Sequence, residues 1–326
     1  MFNMINVEKI DLKDRRILYE LDVNSKQSYS QIGRKVKLPK TVVIYRINSL
    51  IKRGILKNTY TFVNFTKLGF TQFKVYLKFH LINRQKEREI INYLVNKKKI
   101  VWVTACRGNW DIVITIIAKD IVEFDKIIKE IINSYGKFIL DKDILIVSYS
   151  PLYPRKYFLP EKEKQEFLYM KEIKQEKIDE IDEKILKILA SNSRISILEV
   201  MDKLKLTRDL VSYRIKKLEK SGIILAYRSL IDLEKIGYHL YKIILRLQNF
   251  SEKEEAELIS YCRANNNIIQ YIRLVGNWDV EIEVEIENEN KLYNIINEVR
   301  DQFSNIIKDY EVFHITEEHK LNFYPL

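Results

Sequence analysis

The chain has 326 residues, enough for about two ordinary domains or several small ones, and its few glycines and prolines argue against disorder or a collagen-like repeat. The net charge of +11 points to a polyanionic partner, either nucleic acid or an anionic membrane. No apolar run approaches the roughly 18 residues of a membrane span, and residues 1–6 lack a basic stretch leading into an apolar one, so a cytoplasmic chain with no membrane contact is expected.

Residues 8–65 read as three helices and a wing. The third helix runs from about Lys40 to Arg53, with Val43, Ile47 and Leu50 as its buried stripe. Pro39 precedes it, which a first turn tolerates at the loss of a side-chain cap. Off the stripe lie Lys40, Thr41, Ile44, Tyr45 and Asn48, the candidates to enter a major groove.

Residues 70–150 read as a β-α-β-β-α-β module. Lys74 to Leu81 alternates strictly, with Val75, Leu77, Phe79 and Leu81 on one face, as a half-buried strand does. A helix spans about 85–96. A hairpin follows, Ile100 to Arg107 and Asp111 to Ala118, around Gly108-Asn109. A second helix, 121–134, presents Phe124, Ile127, Ile128 and Ile131, and a strand from Ile139 to Val147 closes the set in ferredoxin-like order. Residues 151–177 open on Pro151, Pro154 and Pro160 and turn rich in Glu and Lys, which suggests an extended stretch leading into a solvated, helical linker.

The chain then repeats itself. Shifted by 168 residues, positions 10–69 show 22 identities in 60 pairs without a gap, and Gly108-Asn109-Trp110-Asp111 recurs as Gly276-Asn277-Trp278-Asp279. Residues 178–232 therefore form a second winged helix-turn-helix and 238–326 a second ferredoxin-like domain, an α+β fold of two repeats. Ser196 can cap the second helix of this copy, and Thr207 the third, whose buried stripe is Val211, Ile215 and Leu218. Off that stripe lie Arg208, Asp209, Ser212, Tyr213 and Lys216. Arg46 and Arg214 either contact phosphate or brace the domain. Cys106 and Cys262 occupy non-matching positions and lack CxxC partners, so they read as buried thiols; no metal site or cofactor is expected.

Charge separates a DNA reader from a merely structural helical bundle. Residues 11–60 carry a net +8 and residues 179–228 a net +3, together the whole excess of the chain. Positive charge confined to the two helix-turn-helix segments is what phosphate binding requires, so double-stranded DNA is the expected partner. The sheet faces also differ. Glu281, Glu283 and Glu285 alternate with Val280, Ile282 and Val284, where the first copy has Val113, Thr115 and Ile117 beside Lys74 and Lys78. A face with three glutamates repels itself and suits an apolar, basic one, so the two sensor domains are expected to associate within or between chains. Alternatively, Lys242 and Arg246 neutralise the glutamates on a solvated face.

Three features resemble the leucine-responsive/asparagine (Lrp/AsnC, feast/famine) regulators: Ile-Asp-x-x-Asp-x-x-Ile-Leu at 178–186, Tyr-Arg-Ile-Lys-Lys-Leu-Glu-x-x-Gly-Ile-Ile at 213–224, and the Gly-x-x-Asp turns at 108–111 and 276–279. The resemblance implies DNA contacts from the third helices, at Lys40, Thr41, Tyr45, Arg46 and Asn48 and at Thr207, Arg208, Ser212, Tyr213, Arg214 and Lys216. It also implies a small-molecule effector, often an amino acid, at Gly108, Asn109, Trp110 and Asp111 and at Gly276, Asn277, Trp278 and Asp279. On residue chemistry alone those same sets are hairpin turns braced by Trp and Asp. Family members usually carry one unit per chain; this sequence fuses two. A related branch, the sirohaem decarboxylases, uses the same unit with catalytic His and Arg. Here His80, His239, His314 and His319 fall at no repeat-equivalent positions, so the reading is a regulator and not an enzyme, with a non-DNA-binding scaffold as a further alternative.

Overall fold

The computed structural model describes residues 7–80, 82–160, 167–169, 175–322 and 324. Unit 1 opens with α1 (Leu12–Val23), α2 (Tyr29–Val36), α3 (Lys40–Lys52) and the wing strand β1 (Leu56–Val63). Its sensor module follows as β2 (Thr71–Phe79), α4 (Arg84–Asn96), β3 (Ile100–Arg107), β4 (Ile112–Ala118), α5 (Ile121–Tyr135) and β5 (Ile139–Leu152). A short β6 (Phe167–Tyr169) precedes unit 2, which repeats the order as α6 (Glu180–Ser191), α7 (Ile197–Leu204), α8 (Arg208–Lys220), β7 (Ile224–Ile231), β8 (His239–Leu247), α9 (Glu252–Ala264), β9 (Ile268–Val275), β10 (Val280–Ile286), α10 (Glu289–Gln302) and β11 (Ile307–Leu321).

Local chemistry sets the helix ends, and it does so twice. Asp11 and Asp179 cap α1 and α6 by accepting from Asp14 N (2.8 Å) and Asp182 N (3.0 Å). Ser28 and Ser196 each form a capping box, with Gln31 and Glu199 as the returning side chains. Lys37 and Lys205 end α2 and α7 in the left-handed region, making the tight turn before each recognition helix. Thr207 caps α8 at Leu210 N (3.3 Å), whereas Pro39 leaves α3 without a side-chain cap.

Each sensor sheet has the ferredoxin-like order, β5-β2-β4-β3 in unit 1 and β11-β8-β10-β9 in unit 2. The two sheets also pair edge to edge: β3 runs antiparallel to β11, and β9 antiparallel to β5. Eight strands thus close into a ring, a sandwich sealed at both edges. The helices α4 and α5 cover one outer face and α9 and α10 the other, each over its own apolar cluster. Both Cys106 and Cys262 are buried free thiols.

The helix-turn-helix parts are exchanged between the units. The wing strands β1 and β7 pair antiparallel, and each completes the core of the other unit's three helices. Ser25 N donates to Tyr227 O (2.9 Å) and Ser193 N to Thr59 O (3.1 Å), bonds related by the 168-residue repeat. Ser25 and Ser193 themselves meet, Oγ to Oγ, at 2.6 Å.

The segment after β5 differs from the expected solvated linker. Tyr153, Tyr157 and Phe158 are buried, and the last two join the core of the first three helices together with Tyr238 and Ile269. Their aromatic surface outweighs the pull of the neighbouring prolines toward an exposed spacer. Within the Glu/Lys-rich part, Phe167–Tyr169 is a strand against β5 and not a helix. The expected helix otherwise lies at 161–166 and 170–174, outside the described residues, and 175–179 are not helical.

Candidate nucleic-acid interface and sensor core

The recognition helices α3 and α8 bury the expected stripes, Val43, Ile47, Leu50 and Val211, Ile215, Leu218. The opposite faces are open. Tyr45 is 74% exposed and Tyr213 64%. Lys40, Thr41 and Asn48 on α3, and Arg208, Asp209 and Lys216 on α8, are exposed too, while Ser212 is half-buried. Thr207 spends its hydroxyl oxygen on the cap.

Two of the expected DNA contacts are otherwise engaged. Arg46 donates to Asp11 (2.9 Å) and Asp14 (2.7 Å), and Arg214 donates to Asp179 (2.5 Å) and Asp182 (3.2 Å). Each guanidinium thereby clamps the recognition helix to the first helix of its own bundle. Of the two roles open to these arginines, the geometry favours the brace. Near the wing pair, Lys26 is also committed, donating to Tyr227 Oη (3.0 Å) over the tyrosine ring, and its repeat equivalent Arg194 donates to Gln27 O (2.9 Å) and lies over Tyr29.

The Gly-x-x-Asp turns serve the architecture. Trp110 and Trp278 are buried in the sandwich interior with Tyr76 and Phe313. Asp111 accepts from Phe79 N (2.7 Å) and Asp279 from Leu247 N (2.7 Å), which pins each hairpin to its first strand. Gly276 has φ +151°, and a Cβ there would sit 2.5 Å from Leu145 Cδ2; at Gly108 a Cβ would sit 2.9 Å from Phe313 Cβ. Each turn therefore docks against the other unit's final strand. Of the eight positions expected to contact an effector, Trp110 and Trp278 are buried, Gly108, Asn109, Gly276 and Asn277 are exposed, and Asp111 and Asp279 are half-exposed while bracing their hairpins. Asn277 in turn donates to Asp143 of β5 (3.0 Å).

Inside the sandwich the glutamate face of unit 2 meets unit 1, within one chain. Glu281, fully buried, accepts from Lys74 and Tyr76 of β2 and from Lys242 of β8. Both expected modes of neutralisation thus coincide at one carboxylate. Arg246 takes no part; it donates to Asn277 O. Burial opposes charge on Glu281, but the Lys242 and Lys74 ammoniums outweigh it and hold the carboxyl down at about 2. Burial also pushes the Lys74 ammonium down, to about 8, against the pull of Glu281. Glu285 binds Arg155 through two bonds of 2.9 Å each and accepts from Tyr157 Oη. Arg155 and Arg228 both bind Asp22 of α1, so this buried network fastens the first bundle to the sensor core. Its repeat equivalents, Ala190, Tyr60 and Ile117, cannot do the same for the second bundle.

A cavity of about 810 Å³ opens between the wing pair and the sandwich, with Phe62, Arg228, Trp102, Glu283, Gln270 and Glu318 on its wall. His239, His314 and His319 border it as well. The rings of His239 and His314 lie 5.4 Å apart on adjacent strands, a proximity that comparison of repeat positions cannot reveal. Burial, then His239 and Arg107, push the His314 imidazole down to about 4, so it is neutral at pH 7. The cavity escaped sequence reasoning because its walls come from ten strands of both units. The one available signal was that Trp102 and Glu318 depart from their repeat partners, Gln270 and Ser150.

Comparison with known proteins agrees with this architecture. A winged helix-turn-helix DNA-binding family model matches residues 10–57 and 178–224. The chain is 30% identical over 122 residues to the HTH-type transcriptional regulator LrpB of Bacillus subtilis, covering 37% of this chain and 80% of that protein. It is also 30% identical over 145 residues to an uncharacterised HTH-type transcriptional regulator of Pyrococcus horikoshii, covering 44% and 96%. Over nearly the whole chain, 94% of this protein and 92% of the other, the fold is similar to that of the sirohaem decarboxylase NirDL (TM-score 0.62, 12% identity), a likeness of fold alone.

Proposed function

Because the chain belongs to the Lrp/AsnC family of helix-turn-helix transcription regulators, we propose that it binds double-stranded DNA as a pseudo-dimer in a single chain, reading two half-sites of different sequence. The carrying observation is the pair of recognition helices, each with its polar face open, mounted on one wing platform that the two units share. A symmetric helix-turn-helix dimer reads matched half-sites with matched helices. Here the open faces differ, Lys40, Thr41, Tyr45 and Asn48 against Arg208, Ser212, Tyr213 and Lys216, so base preference differs too. Sensing of a small molecule by the sandwich completes the regulator.

The reading takes the chain as a regulator and not as a decarboxylase. Relatives at about 30% identity carry regulator names, whereas the likeness to the decarboxylase is one of fold. Selection from a random DNA library followed by footprinting tests the proposal. One chain is expected to protect two unlike half-sites about one helical turn, or a multiple, apart. Lys216→Ala changes preference in one half only. Absence of protection at any salt below about 50 mM overturns DNA reading. Turnover of sirohaem by the purified chain overturns the non-enzyme reading.

A further inference from the structure

The cavity between the wing pair and the sandwich lies where a ligand touches both the DNA-reading and the sensing parts. Its volume, about 810 Å³, is within the range of small-molecule pockets. Its charge inventory is what distinguishes it. Every cation on the wall has a partner already. Lys57 pairs with Asp232 (3.1 Å), Lys74 with Glu281, Arg228 with Asp22 (2.8 Å), and Arg155 with both Asp22 and Glu285. Lys320 donates to Lys97 O (2.7 Å). Among the described residues, the wall carboxylates Asp232, Glu283 and Glu285 pair with cations, whereas Glu234 has no ion pair and Glu317 meets only His319 (3.5 Å). Glu318 has no ion pair either, and it accepts from Trp102 Nε1 (2.9 Å). Glu318 is exposed to solvent where it borders the cavity, and desolvation by the surrounding protein raises its carboxyl above the usual range.

The repeat supplies a control within the molecule. Across the pseudo-twofold, the counterpart of the Trp102–Glu318 bond is the bond from Gln270 Nε2 to Ser150 Oγ (2.7 Å). The same two positions hold a neutral amide and a hydroxyl on one side and an indole and an unneutralised carboxylate on the other. The charged position is therefore single, although the fold around it is double.

We propose that this cavity binds one small organic ammonium ion per chain, its cationic nitrogen at Glu318 and its apolar body against Leu230, Leu240 and Ile272. A carboxylate with one neutral donor, in a recess whose cations are all committed, favours a cation and disfavours a carboxylate ligand. The apolar wall calls for a hydrocarbon or aromatic body and not a bare inorganic cation. Because β1 and β7 form the roof, occupancy bears directly on the platform that holds both recognition helices. The Gly-x-x-Asp turns do not line this cavity, and the proposal does not depend on DNA binding.

Isothermal titration calorimetry on the full chain without DNA tests it, with phenethylammonium chloride as probe and sodium 3-phenylpropionate as the opposite-charge near-isostere. Phenethylammonium is expected to bind with a stoichiometry of one, and phenylpropionate not to bind. Glu318→Gln is expected to weaken the ammonium at least tenfold, about 1.4 kcal/mol. Leu230→Trp, which fills the recess from its roof and leaves Glu318 in place, is expected to abolish binding. Absence of phenethylammonium binding at millimolar concentration, equal or tighter binding of phenylpropionate, a stoichiometry of two, or undiminished affinity in either variant overturns the proposal. Failure here leaves DNA reading untouched, because no arm of the titration contains DNA.

Discussion

Replacing Glu281 with glutamine removes one negative charge and almost no volume from a fully buried site. Two ammoniums, Lys74 and Lys242, and the Tyr76 hydroxyl converge on that carboxylate. In the variant the two cations keep only Glu283, which contacts Lys242 directly and lies 3.9 Å from Lys74. Breaking a buried ion pair by removing one partner costs about 3–5 kcal/mol, mostly through the charge left behind. Lys74 offers an escape. Burial already holds its ammonium at about 8, and loss of Glu281 lowers it further. Shedding the proton at pH 7 adds about 1.4 kcal/mol for one unit, which places the total near the lower end, about 3 kcal/mol. The escape has a signature. Wherever folded Lys74 is neutral and the unfolded chain still protonated, the unfolded state binds the extra proton and stability rises with pH. In the wild type that window opens above about pH 8; in the variant it opens at lower pH. Between pH 7 and 8 the gap between the two proteins should therefore narrow by about 1.4 kcal/mol. Urea unfolding followed by the fluorescence of the buried Trp110 and Trp278 measures both quantities. A loss below about 1 kcal/mol, or a gap that stays constant over that range, would refute the account of the sensor core.

Other substitutions test other parts of the fold. Gly276→Ala forces a Cβ to 2.5 Å from Leu145 in a backbone region that side chains rarely adopt, so a loss of about 2 kcal/mol or more is expected in the same unfolding assay. Thr207→Ala removes the cap of α8 and should cost about 1 kcal/mol, with no counterpart at Pro39, where no side-chain cap exists; calorimetry reads the difference. Arg46→Ala should lower stability by up to about 1 kcal/mol while leaving the salt dependence of DNA affinity unchanged. A reduced salt slope in that variant would return Arg46 to the phosphate contacts.

Much of this was legible in the sequence where a local signal carried it. The stripes of α3 and α8 follow a helical period, the caps at Ser196 and Thr207 are single-residue signatures, and the duplication is visible by alignment. The alternation of Glu281, Glu283 and Glu285 assigned them to one sheet face. It could not decide whether Lys242 or unit 1 opposes that face, since pairing across 200 residues leaves no local trace; the structure uses both. The exchange of wings and the sealing of the sandwich through β3–β11 and β5–β9 were invisible for the same reason. The Gly-x-x-Asp turns were legible as hairpins braced by Asp, but a turn that braces and a turn that binds use the same residues, so the sequence alone did not choose between them. Tyr153, Tyr157 and Phe158 were overlooked because three neighbouring prolines dominated the reading of that segment.

The sealed edges and the acidic face together make the two halves non-interchangeable. In a homodimer every substitution acts twice, and a face must tolerate its own mirror. Two copies of unit 2 joined face to face would set three carboxylates against three, with Lys242 from each side as the nearest counter-charge. Severed at the linker, the halves should reassemble as the mixed pair and not as like with like, each offering the strand edges and the wing that the other lacks. Covalent continuity thus fixes a one-to-one stoichiometry that two separate genes would have to maintain by matched synthesis.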